Sequence, residues 1–95
     1  MAILKRLRAV IQGRVQGVGF RYFTADRAQD LHVTGWVRNV GDSEVEVTAE
    51  GEQGALEALL AALRVGPSMA HVEDVHAVWL PYAGEFKDFH IRPGE

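Results

Sequence analysis

Residues 44–50 alternate strictly, with Val45, Val47 and Ala49 set against Glu44, Glu46, Thr48 and Glu50. A few residues later the period changes. Leu56, Leu59, Leu60 and Leu63 recur at i, i+3, i+4 and i+7, which is one face of a helix. A strand with one apolar face thus runs almost directly into a helix with one apolar stripe. Each must bury that face against another element, so the chain is constrained to a layered α+β arrangement.

The same switch occurs earlier. In residues 6–12, Leu7, Ala9 and Ile11 face one way while Arg6, Arg8 and Gln12 face the other, as in a half-buried strand. Gly13-Arg14-Val15-Gln16-Gly17-Val18-Gly19 then places three glycines in seven positions, which reads as a loop with unusual backbone demands. From Phe20 to His32, Phe20, Phe23, Ala28 and Leu31 share a helical stripe. Residues 33–39 hold β-formers and Trp36, and Gly41-Asp42-Ser43 joins them to 44–50 as a hairpin. The second helix spans about Gln53 to Val65 and is stopped by Gly66-Pro67. Residues 72–80 read as a strand with Val75, Ala77 and Trp79 on one face, and a short strand follows near Phe86–Ile91, with Phe89 and Ile91 inward.

The order is β-α-β-β-α-β plus a short C-terminal strand. That is the ferredoxin-like split βαβ sandwich, an α+β fold with two helices on one face of a mainly antiparallel sheet. Ninety-five residues suit one domain spanning 1–95. Charged residues are 24% and mixed in sign, which opposes long disorder. No cysteine is present, which excludes disulfides, thiolate zinc sites and a cysteine nucleophile, and fits a cytoplasmic setting. A net charge of −3 argues against nucleic acid as a partner. No apolar run approaches about 20 residues and no signal peptide is recognisable, so no membrane association is expected. With no long apolar face unassigned, the expected state is a monomer.

In a split βαβ unit the first two strands run parallel, with the third antiparallel between them. The glycine loop leaves the first strand at the same sheet edge where Asn39 ends the second and where the first helix begins, near Phe20 and Arg21. Loop amides and helix N-termini bind anions. Arg21 adds a forked cation in the first helical turn, where the helix dipole disfavours positive charge, and a bound anion would offset that conflict. From the spacing alone, an anion site and a purely structural loop both remain open, because glycine loops, first-turn arginines and strand-end asparagines each have ordinary structural uses.

GRVQGVGFR at 13–21 followed by GWVRN at 35–39 resembles the acylphosphatase family, and the resemblance continues through VEVTAEG (45–51), GPSMAHVEDV (66–75) and FHI (89–91). It implies a metal-independent enzyme that hydrolyses acyl phosphates to a carboxylate and inorganic phosphate, with no cofactor. It implies catalytic roles for Arg21 and Asn39 and a phosphate cradle on the backbone of Gln16, Gly17, Val18, Gly19 and Phe20. One departure stands out. Where the family commonly has Asp-Gly after the asparagine, this chain has Asp42-Ser43 with Gly41 placed earlier, which leaves the hairpin geometry and the aim of Asn39 open.

The chemistry suits these residues. The leaving carboxylate has a conjugate acid of pKa about 4–5 and needs no general acid. Phosphoryl transfer passes through a loose transition state that is stabilised by positioning and fixed donors. Asn39 can hold a water through its amide.

Other readings are weaker. His32, His71, His76 and His90 form no i, i+4 pair, and no metal site is expected. Glu44, Glu46 and Glu50 read as an exposed, edge-protecting row. An RNA-recognition module of the same fold would need aromatics on the third strand, and residues 44–50 have none. A module that binds an anion without turnover is separated from an enzyme only by assay.

Overall fold

The computed structural model describes residues 2–94. The elements are β1 (Leu4–Arg14), α1 (Phe20–Asp30), β2 (Thr34–Val40), β3 (Glu44–Glu52), α2 (Gln53–Val65), β4 (His71–Pro81) and β5 (Phe89–Ile91). They form one five-stranded sheet in the order β4-β1-β3-β2-β5. The pairs β1/β3, β1/β4 and β2/β3 are antiparallel, and β5 runs parallel to β2. This is the ferredoxin-like arrangement expected from the order of periods.

The core lies between the helices and one sheet face. Leu7, Ala9 and Ile11 of β1, Val37 of β2, and Val45, Val47 and Ala49 of β3 are fully buried, and Leu56, Leu59 and Leu63 of α2 close over them. Each buried leucine contributes about 1.5–3 kcal/mol by leaving water. From α1 come Phe20, Ala25 and Ala28, together with Thr24, whose hydroxyl is buried because it donates to the Phe20 carbonyl at 2.8 Å. That local bond lets a polar side chain occupy a stripe otherwise read from apolar residues alone.

Several boundaries differ from the sequence expectation. Strand β1 runs through Gly13 to Arg14, so the loop begins at Val15. Gly13 sits at a bulge in the β1/β4 ladder, a place where a glycine serves a strand and does not end it. Helix α1 ends at Asp30, because His32 adopts φ 57 and completes a two-bond C-terminal cap: His32 N–H donates to Gln29 and Val33 N–H to Ala28. Glycine usually fills that left-handed position. Strand β5 is only three residues long, and the segment before it is irregular.

The largest correction concerns β3. Glu46 and Glu50 are not an exposed, edge-protecting row. Strand β3 is the centre of the sheet, and Glu46 is 5% and Glu50 1% exposed, with Thr48 between them at 3%. Arginines from the flanking strands cover the carboxylates. Arg8 Nε donates to Glu46 Oε2 at 2.9 Å and Arg38 Nε to Oε1 at 2.8 Å. Burial alone would raise the Glu46 carboxyl, but the hydrogen bonds and charges of Arg38 and Arg8 outweigh it and hold the group below the usual carboxylate range. Trp36 lies beside this network, with the Arg38 and Arg92 guanidinia 5.4 and 4.6 Å from its ring.

Candidate functional site

The strand order sets the site. Strands β1 and β2 flank the antiparallel β3, so both end at one edge of the sheet. The loop from Val15 to Gly19 leaves β1 there, α1 starts there, and Asn39 lies one residue before the end of β2.

The loop is anchored by its ends. Val15 and Phe20 are each 1% exposed in the core, while Gly17 and Gly19 between them are exposed. Gly17 has φ 72 and Gly19 φ 80, and a side chain at either would meet no atom within 4 Å. The requirement for glycine is therefore conformational, since a left-handed residue with a Cβ is strained even in open space. Gly19 is the N-cap of α1. It supplies no side-chain acceptor, and the first turn contains no acidic side chain. The first-turn amide donors are thus left for an acceptor from outside the helix. Arg21 is half-buried in that turn, and no described residue pairs with it. An anion at this position would face the helix start and a guanidinium together.

Asn39 pairs with Val45 across the β2/β3 ladder, in the same phase as the buried Val37. Its Oδ1 is buried and has no hydrogen-bond partner among the described residues. Such an atom costs free energy unless something else satisfies it. The chain after β5 passes alongside: Arg92 N–H donates to the Val37 carbonyl at 2.9 Å, and a Cβ added to Gly94 would lie 2.8 Å from the Asn39 carbonyl oxygen.

The hairpin departure resolves into a three-residue turn, Gly41–Asp42–Ser43, with Val40 paired to Glu44 across it. Gly41, at φ 57, takes the left-handed position. The turn is tied to the glycine loop. Gln16 Nε2 lies 3.2 Å from the Val40 carbonyl oxygen, 3.0 Å from that of Gly41 and 3.0 Å from that of Glu44. The sequence singled out Gln16 only for its backbone. No periodicity marks its side-chain contact, because its three partners are main-chain carbonyls on another element.

Four of the seven expected site residues, Gly17, Gly19, Phe20 and Arg21, thus lie around the start of α1. Gln16 bridges from them to the hairpin that carries Asn39, and the half-buried Val18 packs against the core beneath. None of the histidines is among these residues: His71 opens β4 opposite Arg14 at the end of β1, His32 follows the far end of α1, and His76 and His90 lie 3.0 Å from Asp74 and 3.2 Å from Asp88. A cavity of about 390 Å³ lined by Leu4, His32, Thr34, Glu52, Tyr82 and Phe86 opens at the opposite sheet edge, away from the loop. No helix among the described residues is long and apolar enough to cross a membrane.

A family model described as acylphosphatase matches residues 7–91. An acylphosphatase of Salinibacter ruber is 52% identical over 88 residues, covering 93% of each chain. One from Anaeromyxobacter sp. is 46% identical over 92 residues, covering 97% of this chain and 99% of that one. The crystal structure of the acylphosphatase from Bacillus subtilis matches with a TM-score of 0.89 at 36% identity, over 95% of this chain and 99% of that one.

Proposed function

The chain belongs to the acylphosphatase family, and from that premise we propose that it hydrolyses acyl phosphates without a metal, using Arg21, the backbone of residues 16–20 and Asn39. The observation that carries this reading is the uncapped start of α1. A loop with two left-handed glycines and an arginine without a described partner meet there, at the sheet edge where β2 carries an asparagine whose Oδ1 has no hydrogen-bond partner among the described residues.

In this mechanism the amides of Gln16, Gly17, Val18, Gly19 and Phe20 and the guanidinium of Arg21 hold the phosphoryl oxygens. They stabilise the negative charge spread over those oxygens in the loose transition state. Asn39 orients a water toward phosphorus. The water oxygen forms the new P–O bond as the bond from phosphorus to the acyl oxygen breaks. The electron pair leaves with the carboxylate, and the water proton passes to the phosphate product or to solvent. Because the carboxylate is a good leaving group, no side chain has to protonate it. Small molecules of this class are the expected partners of a monomeric, single-domain cytoplasmic protein that uses no cofactor and binds neither membrane nor nucleic acid.

The deciding assay is hydrolysis of benzoyl phosphate by wild type and by Arg21→Ala, in EDTA, with inorganic phosphate binding measured in parallel. Turnover by wild type in EDTA that is lost together with phosphate binding in Arg21→Ala supports the mechanism. A folded wild type that binds phosphate but turns over no acyl phosphate would make the protein an anion-binding module and overturn the enzyme reading. Turnover that EDTA abolishes would overturn metal independence.

A further inference from the structure

The Gln16 side chain joins two parts of the site that the chain supplies separately. Its backbone belongs to the loop between β1 and α1, while its Nε2 is surrounded by the carbonyls of Val40, Gly41 and Glu44, at 3.2, 3.0 and 3.0 Å. Val40 is the residue immediately after Asn39, and Glu44 opens β3 on the far side of the turn. One primary amide therefore holds both stems of the hairpin. Two N–H groups are shared among three acceptors, so the amide spends its full donor capacity there. A side chain that only filled space would make none of these three contacts.

We infer that Gln16 is a positioning residue, whose side chain sets the distance between the phosphate loop and Asn39. This rests on the proposed role of Asn39. Loop and hairpin are otherwise joined at this edge by the Gly13 N–H donating to Ser43 at 3.0 Å, a bond made by β1 before the loop begins. Without Gln16, the loop could hold a phosphate while the hairpin end, and the water on Asn39, shifted relative to it. A misplacement of about 1 Å at a reacting centre costs about a hundredfold in rate. Phosphate affinity would change little, because the loop amides and Arg21 remain. Pre-organisation of this kind is expected to act on kcat.

The experiment compares Gln16→Leu, Gln16→Glu and Asn39→Ala with wild type, in benzoyl phosphate hydrolysis and in inhibition by inorganic phosphate, with circular dichroism to confirm folding. Gln16→Leu is expected to lower kcat by about ten- to a hundredfold while the phosphate inhibition constant moves less than about threefold. In Gln16→Glu an ionised carboxylate would face the three carbonyl oxygens, on the turn that also carries the acidic side chains of Asp42 and Glu44, the latter accepting from Gln12 at 2.9 Å. The protonated form can donate to one of them. Its deficit relative to wild type should therefore shrink as pH falls toward about 5.

A folded Gln16→Leu with wild-type kcat, beside an inactive Asn39→Ala, overturns the inference and leaves the mechanism standing. Equal losses of kcat and phosphate affinity overturn it too, because Gln16 would then be serving the cradle alone. If Gln16→Leu does not fold, a Gln16→Glu deficit that is independent of pH overturns it. Full activity in Asn39→Ala overturns the underlying mechanism.

Discussion

The Glu50 carboxylate accepts the backbone N–H of Ala83 at 2.6 Å, so a buried acceptor on the central strand holds down a loop more than thirty residues away. Its second oxygen accepts the Glu85 N–H at 2.9 Å, and Arg6 lies 3.6 Å from the first. The segment between β4 and β5 is thereby fixed over the sheet face that carries no helix. Glu50→Ala should free this segment, at about 1–3 kcal/mol for the unpaired amides and the lost charge-assisted bonds. Turnover measured well below the melting transition should stay within about twofold of wild type, because the glycine loop lies at the opposite edge. Urea unfolding combined with limited proteolysis at residues 82–88 measures this. Unchanged stability and unchanged cleavage would show that Glu50 does not hold the loop.

Glu46 makes stability depend on acid. Its carboxyl is held below the usual carboxylate range in the folded state, so folding favours the ionised form. That contribution is fully present above the unfolded-state pKa and is lost as pH falls through the folded one. Glu46→Gln should cost about 1–3 kcal/mol near neutral pH, less than a fully buried pair because Arg8 is half-exposed to screening solvent. The gap between wild type and variant should narrow below about pH 4. Unfolding free energies measured from pH 7 to pH 3 give the test, and a gap constant across that range contradicts the assignment.

Gly19→Ala isolates backbone conformation. Beyond the adjacent residues no atom lies within 4 Å of the added methyl, so only the local clash of Cβ with its own backbone contributes. Holding alanine at φ 80 should cost about 1–2 kcal/mol. If the loop relaxes to relieve that cost, its amides turn away and inhibition by inorganic phosphate weakens. Paired measurements of unfolding and phosphate inhibition are the check. A variant equal to wild type in both would mean the left-handed conformation is not needed.

Asn39→Ala should reduce kcat by about a hundredfold or more, as for loss of a group that acts at the reacting atoms. Phosphate inhibition should be nearly unchanged, since the loop and Arg21 remain. Steady-state kinetics with phosphate as inhibitor separates the two. Loss of phosphate affinity in proportion to kcat would place Asn39 in anion binding and not beside the water.

The element order and the composition of the loop were legible in the chain because both are local properties. Alternation in residues 6–12 and 44–50 and the leucine stripe of 56–63 follow from strand and helix periods, and Gly17, Gly19 and Arg21 announced an unusual helix start by their types alone. Contacts between distant segments were not legible. Glu46 and Glu50 read as surface charges, because alternation assigns a residue to a face without saying what covers that face. Only the insertion of β3 between β1 and β2 brought Arg8 and Arg38 over one carboxylate and laid the 82–88 segment across the other. The same holds at the site. A glutamine in a glycine loop carries no sign of its partners, and the three carbonyls around Gln16 become neighbours only when the hairpin folds back beside the loop. Periodicity is a property of adjacent residues, whereas burial and hydrogen-bond partnership belong to whichever segments the topology brings together.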